Sequence, residues 1–197
     1  MLRTARQHRA DREPHRATSG LAASRLALGG LFVSVQRNRN LAALESWYNL
    51  GMKSSEFMRA LPDAVRPKLA KRLRDFEIAG RPWLMQFYYD DPRIHYEVSN
   101  LGERRGRLEI GLHFESQDRQ VNARWLEGVL AHLFEIKAQL GPSFEAEPWD
   151  KGWTKVYETI PLERFSADYL ERVAARAARV IEVLEPIRRD ISKSRAR

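Results

Sequence analysis

The chain has 197 residues, 43% of them hydrophobic, a net charge of +8 and no Cys. That size and apolar content suit one core-forming domain with an attached segment. The lack of Cys excludes disulfides, thiolate metal sites and Cys nucleophiles, and fits a reducing cytoplasm. No apolar run of about 18 residues offers a membrane span.

The charge is unevenly spread. Residues 1–51 carry eight Arg, no Lys and three acids, whereas the remainder is close to balance. The high pI is therefore mostly a property of the N-terminal quarter, which weakens the nucleic-acid reading that a basic protein invites. The first twenty residues are nearly devoid of apolar bulk and cannot offset chain entropy. Arg25 interrupts the apolar core that a secretory signal needs, and an Arg-rich, acid-poor stretch fits a transit peptide only in part. Residues 1–51 read best as a disordered or over-extended N-terminal region, with a start at Met52. Leu41 to Leu50 could add a short helix. Residues 52–190 form the expected α+β domain, and 191–197 a frayed basic tail.

Ser55 to Ile78 reads as helical. Val65, Leu69, Leu73 and Phe76 make a stripe, Pro62 and Pro67 interrupt it, and Gly80-Arg81-Pro82 stops it. Pro82 to Tyr89 is an aromatic, strand-like run, and Asp90-Asp91-Pro92 a turn. From Arg93 to Ser116, two period-two runs flank a Gly- and Arg-rich turn. Ile94, Tyr96 and Val98 alternate with His95, Glu97 and Ser99; Leu108, Ile110, Leu112 and Phe114 alternate with Glu109, Gly111, His113 and Glu115. This is a β-hairpin with one apolar and one polar face.

Asn122 to Leu140 is an amphipathic helix, with Leu126, Val129, Leu130, Leu133 and Phe134 facing one way and Gly141-Pro142 ending it. Phe144 to Pro148 and Trp153 to Ile160 are short strands around Asp150-Lys151-Gly152. Ser166 caps a last helix whose buried stripe includes Leu170, Val173, Ala177, Val180, Ile181 and Leu184. Pro186 ends or kinks it. The order α-β-β-β-α-β-β-α gives a two-layer α+β domain, a mainly antiparallel sheet of about five strands with helices on one face.

Three hairpin registers keep the apolar residues together. One sets His95 beside His113. A second sets Glu97 beside Glu109. The third sets His95 beside Glu109 and Glu97 beside Arg107. Opposite charges across a ladder help by about 0.2–1 kcal/mol and like charges hurt similarly, so local electrostatics favours the third. Imidazole and carboxylate are ligand types for a divalent metal, which makes His95, Glu109 and His113, with Glu115, candidate ligands. A solvated polar face is the plainer reading. HExxH, GxSxG and phosphate-cradling Gly loops are absent.

Basic residues gather at Arg66, Lys68, Lys71, Arg72 and Arg74, at Arg104, Arg105 and Arg107, and from Arg188 to Arg197. Lys68, Lys71, Arg72, Arg104, Arg105 and Arg107 are the candidate phosphate contacts. Trp149 and Trp153 flank a tight turn and could stack on a base or anchor a partner, or else cap the core.

LEIGLHFES, a helix ending FEIKAQLG, then FEAEPWDKGWTKVYE and a closing helix together resemble a bacterial domain of unknown function over Leu108 to Ile187. Its members sit beside nuclease-like or restriction-modification modules, which implies a prokaryotic accessory domain linked to DNA-related systems. The resemblance carries over no functional residue, and the nuclease Glu-x-Lys pattern is lacking at Glu109-Ile110-Gly111.

The expected function is a cytoplasmic, non-catalytic accessory or binding module. It needs no cofactor, has a protein or nucleic-acid partner and makes no membrane contact. The alternative is a metal-dependent hydrolase using His95, Glu109 and His113. A third reading is a small-ligand binder using Trp83, Phe87, Tyr88 and Tyr89.

Overall fold

The computed structural model describes residues 51–195. The expectations for residues 1–50, including the short helix over Leu41 to Leu50, lie outside them. Six antiparallel strands form one sheet in the order β1-β2-β3-β4-β6-β5. The strands are β1 (Glu77–Arg81), β2 (Leu84–Tyr88), β3 (Ile94–Asn100), β4 (Arg107–Phe114), β5 (Glu145–Pro148) and β6 (Thr154–Pro161). Among the described residues, four α-helices accompany them: α1 (Ser54–Val65), α2 (Arg119–Ala131), α3 (Leu133–Leu140) and α4 (Ala167–Arg195). The α+β fold expected from the sequence is present, with six strands where about five were expected.

The additional strand comes from the segment read as the end of the first helix. That helix stops at Val65 because Pro67 lacks an N–H and cannot extend the ladder. Two 3-10 turns follow, Arg66–Lys68 and Lys71–Leu73. Leu69, between the turns, and Leu73, at the end of the second, are both buried, so their spacing of four mimics a helix without being one. The Arg66 side chain donates to the Arg74 carbonyl, and Arg74 donates to the carbonyls of Leu69 and Pro67, tying these turns together. Strand β1 then pairs with β2 across the two-residue Pro82-Trp83 turn. All five of its residues are exposed, as suits an edge strand with no period-two apolar signal.

The helix read over Asn122 to Leu140 is two helices. Asp118 caps α2 through its Oδ1, which accepts from the Gln120 N–H at 2.8 Å. The chain breaks direction at His132. This break turns Leu130 and Phe134 outward, and the buried residues become Trp125, Val129, Ile136 and Leu140. Trp125 stacks on Phe114 with ring centroids 5.0 Å apart. In α4, Ser166 Oγ accepts from the Tyr169 N–H, confirming the expected cap. Pro186 lies inside α4 without ending it, and Ile191 is buried beyond it. Helix α4 packs on α1, α2, α3 and β4.

The apolar face of the sheet meets the helices through Tyr96, Val98, Ile110, Leu112, Phe114 and Val156. The opposite face carries His95, Glu97, Glu109, His113, Lys155 and Tyr157. At its centre is Gly111, paired with Glu97 on one side and Tyr157 on the other. A Cβ at Gly111 would stand 2.5 Å from Tyr157 Cβ and 2.6 Å from the Val156 carbonyl oxygen. Glycine is needed here for the close approach of β6.

A candidate metal centre on the polar face of the sheet

The β3–β4 register places His95 directly opposite His113. The pairing of His95 with Glu109 and of Glu97 with Arg107, favoured by local electrostatics, does not occur. The reason is the third strand. Glu109 finds its cation on β6, where Lys155 Nζ donates to Glu109 Oε2 at 2.8 Å. Arg107 also turns to β6, bonding Thr159 Oγ1 and its carbonyl. Pair energies of a fraction of a kcal/mol within one hairpin were therefore outweighed by partners lying across β4.

The polar face is not solvated at this point. His95, Glu97, Glu109 and His113 are all buried, His113 to 1% exposure. The two imidazoles lie near-parallel with centroids 5.6 Å apart. Trp149 packs edge-on against His113 at 5.7 Å. Because the residue opposite Glu97 is Gly111, no side chain fills the space beside Glu97 on β4. One donor atom each from His95, Glu97 and His113 lies within 4.8 Å of the others.

His95 is oriented from both sides. Its Nδ1 is 2.8 Å from the Pro92 carbonyl oxygen, an acceptor only, so Nδ1 carries a proton. On the other side, Nε2 lies 2.9 Å from the Gln86 amide nitrogen. Gln86 also donates to Glu97 Oε2 at 3.0 Å, and this oxygen is 3.5 Å from His95 Nε2. Donation of the distal ring N–H to a backbone carbonyl is the usual support for a metal-ligating His.

His113 is different. Neither ring nitrogen has a hydrogen-bond partner, although both are buried. Glu109 Oε1 lies 3.2 Å from Nε2 without forming a hydrogen bond, and Glu115 Oε1 lies 3.7 Å from Nδ1, beyond hydrogen-bond reach. His113 therefore meets its carboxylate neighbours as charge partners, without an aligned hydrogen bond. Burial alone would push the His113 pKa down, but Glu109, Glu115 and Glu97 reverse this and hold it up at about 9. Burial alone would push the Glu97 carboxyl up, but His95, His113 and Gln86 hold it at about 2. Glu109 is likewise lowered, against burial, by His113 and Lys155. The site is a nest of ionised carboxylates around one imidazole that demands a positive charge.

Of the expected ligands, the structure brings together His95 and His113, and moves Glu109 to the far side of His113 in a pair with Lys155. Glu97 takes its place. The signal was present in the sequence, since His95 and Glu97 share a face two residues apart. Its meaning depended on a register that the hairpin alone did not set. Asn122, also unforeseen, is buried and binds both sides of the site's frame. Its Oδ1 accepts from the Ser116 N–H, and its Nδ2 donates to the carbonyls of Ser116 and Gly152.

The other candidates are dispersed. Lys68 pairs with Glu171, and Arg107 is held by Thr159. Lys71, Arg72, Arg104 and Arg105 are exposed. Arg72 borders a hollow shared with Arg189 and Lys193 but also with Glu185 and Asp190. Trp149 and Trp153 do face each other, with centroids 5.4 Å apart and a Trp149 N–H to Trp153 carbonyl bond closing the turn. Their rings are partly engaged by His113, Lys151 and Lys155. The aromatic run is split by strand alternation: Phe87 is in the core, Tyr88 bonds Glu77, and Tyr89 donates to the Leu73 carbonyl. No helix among the described residues is long and apolar enough to cross a membrane. No family, curated protein or solved structure matches the chain.

Proposed function

We propose that this chain is a small α+β accessory module that binds a divalent transition-metal ion on the polar face of its sheet. His95, Glu97 and His113 supply the donors. The observation that carries this reading is His113, buried with both nitrogens unbonded beside two further donors within 4.8 Å. Two imidazoles and a carboxylate suit zinc, manganese or iron(II) in preference to calcium or magnesium. Glu97 is already ionised. His113 must release its proton, so binding is coupled to proton release.

Isothermal titration with Zn²⁺ and Mn²⁺ on chelator-treated protein tests the reading. One ion should bind per chain, with heat that changes with the ionisation enthalpy of the buffer, and His113→Ala should abolish it. Metal at a hundredfold over Kd should add about 2.7 kcal/mol to stability. Equal, weak binding by wild type and His113→Ala would refute it.

A further inference from the structure

We infer that Glu115 is a fourth ligand, closing the coordination sphere into a two-His, two-Glu set that leaves no open position for a substrate. This rests on the metal reading above and decides what kind of centre it is. A structural site is closed by four protein ligands, whereas a catalytic site keeps a place for water.

Geometry is the first support. Metal–donor bonds of about 2.0–2.1 Å put the corners of a tetrahedron about 3.4 Å apart. Three donor–donor separations in the cluster approach that edge: His95 Nε2 to Glu97 Oε2 at 3.5 Å, His113 Nδ1 to Glu115 Oε1 at 3.7 Å, and His95 Nε2 to Glu115 Oε1 at 3.9 Å. Glu115 Oε1 is thus the atom that faces one nitrogen of each imidazole. It stands outside the three donors that already lie within 4.8 Å of one another, so its carboxylate swings inward to complete the set.

Charge is the second. Glu97, Glu109 and Glu115 lie within 4 Å of the imidazoles, and Lys155 pairs with Glu109. Glu109 is neutralised by Lys155, which also leans over the Tyr157 ring. Among the described residues, Glu97 and Glu115 have no cation partner beyond the imidazoles. Two neutral imidazoles with the Glu97 and Glu115 carboxylates balance one divalent cation.

Backbone placement is the third. Glu115 follows directly on β4, and its N–H donates to the Arg93 carbonyl at 2.8 Å, which fixes its Cα beside the start of β3. Its side chain is the most exposed of the four ligands, at 20%, so it forms the outer wall of the centre.

The test is Co²⁺ and Zn²⁺ titration of the full chain as wild type, Glu115→Gln, Glu115→Asp and Glu109→Gln, each checked for native circular dichroism. Wild type should give the intense visible absorption of four-coordinate cobalt. Glu115→Gln should weaken affinity by about 100-fold and lower that absorption as water enters. Glu115→Asp should recover part of both. Loss in Glu109→Gln with none in Glu115→Gln would overturn the assignment in favour of Glu109. An unchanged spectrum and affinity in Glu115→Gln would overturn it in favour of an open, hydrolase-type site. Absence of binding by wild type would instead overturn the metal reading itself.

Discussion

His113 holds its proton where most histidines would have lost it, and Glu97 loses its own where most glutamates would still hold it. The two shifts act on stability in opposite directions of pH. His113 is raised, so its contribution is complete below its ordinary value of 6.5 and disappears as the pH climbs through about 9. Glu97 is depressed, so its contribution is complete above its ordinary 4.5 and disappears as the pH falls toward about 2. Metal-free protein should therefore melt at the highest temperature between those ordinary values, with a decline on the alkaline side that His113→Gln removes. Thermal melts in chelator across the alkaline range measure this. A melting temperature that stays level from neutral pH through 9 would contradict the ionised cluster described for His113.

Strand β4 is the element on which the site depends, since it supplies His113, positions Glu115, and is bordered by β3 and β6 along its length. Its Gly111 has no room for a side chain. Gly111→Ala should cost about 1–3 kcal/mol by overpacking against Tyr157 and the β6 backbone, read as a shift in urea midpoint with an unchanged slope. The alternation of the β3–β4 hairpin was fully legible in the sequence, because a period of two needs no partner to be recognised. The register was not legible. It was settled by Lys155 and Thr159, some fifty residues on, and local charge arithmetic within the hairpin pointed the wrong way. Strand β1 was missed for a related reason. Exposed on both faces, it has no apolar rhythm, and the 3-10 turns before it imitate a helix. In α2 and α3 the break at His132 rotated Leu130 and Phe134 off the expected stripe, and neither Gly nor Pro marks the spot.

At the scale of the whole molecule, α4 is joined to the sheet by more than apolar contact. Glu185, 1% exposed, accepts from the Tyr96 hydroxyl on β3 at 3.0 Å and from Arg188 at 2.8 Å, and Arg188 reaches on to Asp90 before β3. Burial alone would raise the Glu185 carboxyl, and Arg188 and Arg189 hold it below the ordinary range instead. Arg188→Leu leaves that carboxylate buried with its main partner gone and should cost about 3–5 kcal/mol in urea unfolding. Arg189→Ala, at an arginine whose side chain is 47% exposed, should cost about 1 kcal/mol or less. Equal losses would show that the network is not organised around Arg188. The apolar stripe of α4 was readable from its spacing. The charged pair within that stripe was not, since Glu185 and Arg188 look in sequence like any other solvent-facing residues on a basic helix.

The facing of His95 and His113 also bears on how the chain finds its fold. Sliding β4 past β3 by two residues leaves every apolar side chain on the core side, so burial penalises such slips weakly. It does, however, part the imidazoles. A cation held between the strands would recognise only the native alignment. It would serve as a gauge of strand alignment, rejecting near-native pairings that the hydrophobic core by itself tolerates.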